Sequence, residues 1–92
     1  MTAHRQLVEV TNQRGLHARA SAKFVTFVSR LPEGTLVRVA KDGQEVTGTS
    51  IMGLMMLGAA RGDAIEIIVE GDQAAALLDR LVGLVKDGFG ED

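Results

Sequence analysis

The chain has 92 residues with a formal net charge of −2, and its composition limits what kind of protein it is. This length predicts one domain over residues 1–92, because no internal boundary would leave two viable cores. Hydrophobic residues make up 46%, yet there is no Tyr or Trp and only three Phe, which argues against a base-stacking platform for nucleic acid. The slightly acidic balance argues against binding to phosphate backbones. The absence of Cys excludes disulfides and thiolate zinc sites.

The sequence lacks a stretch suited to a membrane. Its longest uncharged segment, residues 46–60, is shorter than the roughly 20 apolar residues that a spanning helix needs. Residues 1–6 lack the apolar region of a signal peptide. We therefore expect a cytoplasmic protein that does not insert into membranes.

The first third of the chain changes from a strand period to a helix period. Alternation of apolar and polar residues predicts a strand over residues 5–11. Apolar residues then recur every three or four positions over residues 18–31, which predicts an amphipathic helix. Pro32 is expected to end it.

The rest of the chain continues the alternation of strands and helices. The elements expected are a strand around residues 37–39, a hairpin turn at Asp42-Gly43, a strand at 44–47, a helix from about 51 to 57, a strand at 65–70 and a helix from about 74 to 85. Thr49 or Ser50 can cap the second helix, and Gly71-Asp72 is expected to turn the chain and cap the third. Residues 88–92 are expected to form a frayed tail.

The resulting element order, β-α-β-β-α-β-α, predicts the architecture. Each strand has one apolar face, so the sheet needs cover on one side only. We therefore expect an α+β open-faced sandwich, with a four-stranded, mainly antiparallel sheet covered on one face by three helices.

One histidine, His17, lies at the predicted start of the first helix. Backbone N–H groups in a first helical turn have no intrahelical acceptor and favour an anion nearby. An imidazole there is discouraged from protonation and is available as a nucleophile. A phosphoryl group taken up by His17 could be bound by the backbone N–H groups of Ala18, Arg19 and Ala20 and by the Arg19 guanidinium. The alternative is that His17 merely caps the helix, and a Gly-x-His-x-Arg pattern alone does not decide between the two.

Two segments carry a resemblance to a known family. Gly15-Leu16-His17-Ala18-Arg19 resembles the active-site signature of HPr, the histidine-containing phosphocarrier family of the bacterial phosphotransferase system. Ser50-Ile51-Met52-Gly53-Leu54-Met55 resembles its serine-site signature. The length and the element order are similar along residues 5–86.

The resemblance implies a function and its partners. His17 would accept a phosphoryl group on Nδ1 from phospho-Enzyme I and pass it to a histidine of an enzyme IIA protein or domain. Arg19 would hold phosphoryl oxygens during both transfers. The chain would then be a carrier and a substrate of enzymes, not an enzyme, and transient one-to-one docking predicts a monomer.

The sequence departs from the family pattern at Ala20, where the family usually has Pro. Proline would fix the backbone φ at the start of the helix and would lack an N–H. We expect Ala20 to leave an additional N–H donor near the phosphate site and to loosen the first helical turn slightly. The difference at Ala20 therefore bears on the rate of phosphoryl transfer and not on the role of His17.

Ser50 has two possible roles. Serine is a favoured N-cap residue, which explains its position without any regulation. The resemblance implies in addition that an ATP-dependent HPr kinase/phosphorylase phosphorylates Ser50. The added negative charge would weaken partner binding by repulsion and desolvation.

The helix after Ser50 is too apolar to bury on one side. We expect Leu54 and Leu57 to point inward and Ile51, Met52 and Met55 to remain outside as an interaction surface. Methionines commonly fill gaps in a core, but they also suit a surface that must fit several partners. The resemblance implies that Ile51, Met52 and Met55 form the docking surface.

Two alternatives to a phosphocarrier remain. The chain could be a regulatory or small-ligand-binding α+β domain in which His17 is structural, or an HPr-like effector that acts only through Ser50. With two His and no Cys, a metal site is not expected, and the sequence has no nucleotide-binding motif, so no cofactor is expected.

Overall fold

The computed structural model of the chain describes residues 2–91. Its elements are β1 (His4–Glu9), α1 (Ala18–Ser29), β2 (Leu36–Lys41), β3 (Gln44–Thr47), α2 (Ile51–Met56), β4 (Ala64–Glu70) and α3 (Ala74–Lys86), followed by a 3₁₀ turn at Gly88–Gly90. Across residues 2–91, every helix is too short or too polar to cross a membrane.

The four strands form one sheet in the order β1-β4-β2-β3, and all three neighbouring pairs are antiparallel. The register places Val8 opposite Ile65 and Val39 opposite Ile67, so that apolar residues meet on one face. All three helices contribute buried side chains to the core on this face. The predicted α+β open-faced sandwich is therefore confirmed.

The core lies between the sheet and the helices, and the other sheet face is open. Phe24 of α1, Leu54 of α2 and Leu81 of α3 are fully buried among the apolar strand residues. On the open face, Leu7 and Leu36 are 66% and 61% exposed. The helices therefore pack against one face of the sheet only.

The β2–β3 hairpin turns as its sequence predicts. Asp42 and Gly43 have φ angles of 51° and 84°, and both lie in the left-handed region that two-residue hairpin turns require. This turn pairs Lys41 with Gln44 and fixes the register of β3.

Two local predictions near α3 are wrong. Gln73, and not Asp72, is the N-cap residue of α3, and it makes no side-chain capping hydrogen bond. The predicted frayed tail is packed as far as Glu91, because Phe89 is 1% exposed and lies in the core cluster. The chain enters this position through a positive φ at Gly88 and Phe89. Residue 92 lies outside the described residues.

Candidate functional site

The loop before α1 is fixed by its neighbours in the fold. Gly15 has a φ of 63°, and a Cβ atom built there would collide with the carbonyl oxygen of Ala59. The next residue, Leu16, is buried and donates its backbone N–H to that same oxygen at 3.0 Å. The residue before His17 is therefore tied to the segment that follows α2.

His17 is the N-cap residue of α1, with extended backbone angles (φ −75°, ψ −177°). Its carbonyl accepts a helical hydrogen bond from the N–H of Ser21 at 2.9 Å, and its Nδ1 faces the N–H of Arg19 at 3.3 Å. The histidine side chain is 23% exposed. The ring thus caps the helix, as the simpler interpretation of the sequence holds, and its Nδ1 faces the helix N-terminus, as the nucleophile interpretation requires.

The other ring nitrogen of His17 contacts a carboxylate. Nε2 lies 2.9 Å from Oε2 and 3.2 Å from Oε1 of Glu91. Nδ1 faces an N–H donor and must accept, whereas Nε2 faces a carboxylate and must donate. In a neutral ring, this pattern of contacts favours the tautomer that has its proton on Nε2 and a lone pair on Nδ1.

Glu91 is held in place by the amide of Asn12. The Asn12 side chain is buried, and its Nδ2 donates to Oε1 of Glu91 at 3.0 Å and to the Gly15 carbonyl at 2.8 Å. The hydrogen bond from His17, helped by that from Asn12 and by the nearby charge of Lys23, holds the pKa of Glu91 below its ordinary value of 4.5, although desolvation acts in the opposite direction. Glu91 is therefore ionised at neutral pH.

Cationic side chains surround the histidine. An open cleft of about 500 Å³ is lined by His17 and Glu91 together with Arg14, Arg19 and Lys23. Three cations against one carboxylate make this cleft attractive to an anion such as a phosphoryl group. Of these cations the sequence analysis singled out Arg19 alone.

The predicted backbone donors Ala18, Arg19 and Ala20 form the first turn of α1. The Arg19 N–H faces Nδ1 of His17, and a phosphoryl group bonded to Nδ1 would therefore lie next to this amide. Ala20 is fully buried, so its methyl group is part of the core, and the contact of its backbone N–H with a phosphoryl group stays a prediction.

Ser50 is the N-cap residue of α2. Its Oγ accepts a hydrogen bond from the N–H of Gly53 at 2.9 Å, and its own N–H bonds to the carbonyl of Thr47. The predicted choice between Thr49 and Ser50 as the cap therefore falls on Ser50. The capping role of Ser50 is confirmed, while its regulatory role stays a prediction.

The outer side of α2 is apolar and exposed. Leu54 and Leu57 are buried, whereas Ile51, Met52 and Met55 are 40%, 72% and 43% exposed, as predicted. Met56, at 76%, extends the same surface and was not anticipated. We call the four exposed residues the methionine surface. Helix α2 packs against α1, which places this surface on a neighbour of the helix that carries His17.

The sequence analysis missed Arg14, Lys23, Asn12 and Glu91. The two cations lie within six positions of His17, so charge near the candidate nucleophile was a usable signal. Glu91 lies 74 residues away and has no local pattern that relates it to His17. The usable signal for the tail was Phe89, an aromatic residue between two glycines in a segment expected to be solvated.

The fold and the site together are typical of a small carrier protein, in which one imidazole is held at a helix N-terminus beside cations. Comparison with known proteins agrees. The family model described as "PTS HPr component phosphorylation site" matches residues 4–87. The phosphocarrier protein HPr of Neisseria meningitidis serogroup A is 44% identical over 87 residues, covering 95% of this chain and 96% of its own.

Solved structures give the same result. HPr from Thermoanaerobacter tengcongensis superposes with a TM-score of 0.88 at 36% identity, covering 97% of this chain and 98% of its own. HPr from Bacillus anthracis superposes with a TM-score of 0.84 at 34% identity, covering 92% and 99%. The chain therefore belongs to the HPr family, and it is a phosphocarrier of the phosphotransferase system, not a catalytic enzyme.

Proposed function

We propose that His17 carries the phosphoryl group, accepting it on Nδ1 from phospho-Enzyme I and passing it to a histidine of an enzyme IIA protein or domain. The observation that carries this proposal is the pair of contacts on the ring. The Arg19 N–H faces Nδ1 at 3.3 Å, and the Glu91 carboxylate accepts from Nε2 at 2.9 Å. Nδ1 is thus the unprotonated nitrogen, and its lone pair accepts from the Arg19 N–H until a phosphoryl group arrives.

The transfer needs a change of hydrogen-bond partner at the helix N-terminus. The Nδ1 lone pair forms the bond to phosphorus, and the bond between phosphorus and the donor breaks, with the electron pair leaving on the donor. The Arg19 N–H, which faces Nδ1 before transfer, then faces a phosphoryl oxygen. The guanidinium of Arg19 lines the same cleft and supplies positive charge for the remaining oxygens, with further donors from the backbone of Ala18 and Ala20.

The methionine surface is proposed as the place where both partners dock. Ile51, Met52 and Met55 form an exposed apolar surface on α2, which packs against α1. Flexible methionine side chains can fit more than one partner. Docking of one partner at a time agrees with a monomeric carrier. The monomeric state and the cytoplasmic location are both part of this proposal.

Regulation at Ser50 is a separable part of the proposal. Ser50 immediately precedes the methionine surface, so a phosphoryl group there would add negative charge beside Ile51. An HPr kinase/phosphorylase with ATP should then phosphorylate wild-type protein but not the Ser50→Ala variant. Phospho-Ser50 protein should accept phosphoryl groups from Enzyme I more slowly than unmodified protein, and an unchanged rate would refute the regulatory role.

The central test is incubation with phosphoenolpyruvate and Enzyme I, followed by intact mass measurement. We expect the mass of one phosphoryl group, labile in acid and stable in alkali. The label should be absent from His17→Ala and present in His4→Ala, which removes the other histidine of the chain. Label retained in His17→Ala would refute the assignment, and acid-stable label on Ser50 alone would favour the effector alternative.

A further inference from the structure

The C-terminal turn closes on the histidine that is proposed to carry the phosphoryl group. Residues Gly88–Gly90 form a 3₁₀ turn, and Glu91 follows it with its carboxylate against Nε2 of His17. The side chains of the two residues are 16% and 23% exposed, so their contact is partly shielded from water. A shielded hydrogen bond to a carboxylate is stronger than the same contact in solution.

Anchors on the tail and on the body of the domain hold Glu91 in place. Phe89 is buried in the core, and its carbonyl accepts a hydrogen bond from Nζ of Lys23 at 2.7 Å. Asn12 binds one carboxylate oxygen of Glu91 and the Gly15 carbonyl with the same amide group. The carboxylate is therefore fixed relative to the loop that carries His17.

We propose that Glu91 is a positioning residue for phosphoryl transfer, holding the proton of His17 on Nε2 so that the lone pair of Nδ1 faces the incoming phosphorus. This inference rests on the proposed function of His17. It adds a residue that lies outside both signature segments and 74 positions from the nucleophile.

The charge balance of the transfer gives Glu91 a second effect. When Nδ1 bonds to phosphorus while Nε2 keeps its proton, the ring becomes an imidazolium that carries a phosphoryl group. The Glu91 carboxylate lies against the Nε2–H and stabilises this positive charge as it develops. When the phosphoryl group leaves, the bond electrons return to Nδ1 and the ring becomes neutral again without any proton moving.

The first experiment compares Glu91→Gln and Glu91→Ala with wild type in rapid phosphoryl transfer from phospho-Enzyme I. Loss of a carboxylate that orients a metal-ligating histidine reduces activity by about 10- to 100-fold, and we expect a decrease in that range here. Asp87→Asn is the matched control, because it removes one exposed acid from the same end of the chain and should transfer at the wild-type rate. A Glu91→Gln rate equal to or above that of wild type would overturn the proposal.

The second experiment separates positioning from a merely structural role. Imidazole ¹⁵N spectra report which ring nitrogen carries the proton, and wild type should show the proton on Nε2. In Glu91→Gln the neutral amide no longer requires a donor at Nε2 and only the Arg19 N–H still favours that tautomer, so the share of the ring protonated on Nδ1 should rise. An unchanged tautomer in Glu91→Gln would overturn the proposal even if transfer were slow.

These readouts distinguish failure of the inference from failure of the proposed function. Wild-type protein that takes no phosphoryl group on His17 would refute the proposed function. If wild-type protein is phosphorylated on His17 and the Glu91 variants have the same transfer rate and tautomer as wild type, only the role of Glu91 is refuted.

Discussion

The start of α1 and the outer side of α2 show two opposite ways of building a functional surface. At the start of α1, both ring nitrogens of His17 have hydrogen-bond partners and the side chain is 23% exposed. On α2, the side chains of the methionine surface are apolar and 40% to 76% exposed. The first region is polar and fixed by distant parts of the chain, whereas the second is apolar and made by one short helix.

The difference follows from the two proposed tasks. Group transfer requires the nucleophile to be held in one orientation, because misplacement of the reacting atoms slows the reaction. Docking to partners of different shape requires side chains that can change rotamer, and methionine does this more readily than branched residues. The hydrogen bond from Leu16 to the carbonyl of Ala59 connects the two regions, so a small domain can offer both at once.

The largest expected effect comes from breaking this connection with Gly15→Ala. The new Cβ would collide with the Ala59 carbonyl and would lie 2.9 Å from Cα of Ala60. Residue 15 also has a positive φ, which an alanine adopts only with strain. Strain and overpacking together should lower the free energy of unfolding by about 4 kcal/mol. Gly58→Ala has nearly the same φ, 67°, with open space around it, and should lose only about 1 kcal/mol in urea unfolding. Equal losses would show that the close approach at Gly15 does not matter.

The orientation of α2 is tested next by comparing its inner and outer sides. Leu54→Ala removes a fully buried side chain and should lower the free energy of unfolding by about 3 kcal/mol. Met52→Ala truncates a side chain that is 72% exposed and should change it by less than about 0.5 kcal/mol. Chemical denaturation measures both, and a larger loss for Met52 would mean that the helix faces the other way.

Most of the fold could be predicted because it depends on local patterns. The strand alternation around Ile65 and Ile67, the Asp42-Gly43 turn and the Ser50 cap each depend on residues within a few positions of one another. The same is true of the methionine surface, since six of the seven residues from Ile51 to Leu57 are apolar and a short helix cannot bury them all.

The site around His17 could be predicted only in part. The position of His17 at a helix start is local, but its contact with Glu91 depends on where Phe89 finds a place in the core. The glycines on both sides of Phe89 favour a frayed tail when the segment is considered alone, and burial of the aromatic ring outweighs that preference. The hydrogen bond between Asn12 and Glu91 likewise exists only in the folded chain.

The docking role of the methionine surface is tested by the double variant Met52→Glu, Met55→Glu. Two charges in an apolar interface should slow phosphoryl transfer from Enzyme I by about tenfold, which corresponds to roughly 1.4 kcal/mol, without unfolding the domain. Leu7→Glu, Leu36→Glu is the matched control, because it places the same charges at exposed leucines on the open face of the sheet. Equal transfer by the two double variants would remove the methionine surface from the interface.

A smaller effect is expected from the cap of α2. Ser50→Ala removes the acceptor for the Gly53 N–H and should lower the free energy of unfolding by about 1 kcal/mol. Ser50→Asp keeps a capping oxygen and should remain close to wild type in thermal or urea unfolding. Thr49→Ala provides the control at the neighbouring position, and a greater loss there than at Ser50 would contradict the assignment of the cap.

The smallest expected effect is on the pH dependence of the free energy of unfolding. It should be seen for the polar site around His17 and not for the apolar methionine surface. The pKa of Glu91 is lowered in the folded chain, chiefly by the hydrogen bond from His17, so the unfolded chain takes up a proton at a higher pH than the folded one. The stabilisation from this carboxylate is therefore complete above its ordinary pKa of 4.5 and is lost as pH falls through the lower folded value. Urea unfolding from neutral pH downward should show the stability difference between wild type and Glu91→Gln disappearing in that acid range.

Met52→Ala is the control for this pH series, because it changes no charge and its difference from wild type should stay constant at every pH. A Glu91→Gln difference that also stayed constant would mean that the tail is held by Phe89 and Lys23 alone. The contact between the Glu91 carboxylate and His17 would then contribute nothing to stability. The polar site would be fixed by packing and by the Lys23 hydrogen bond, not by the charge of Glu91.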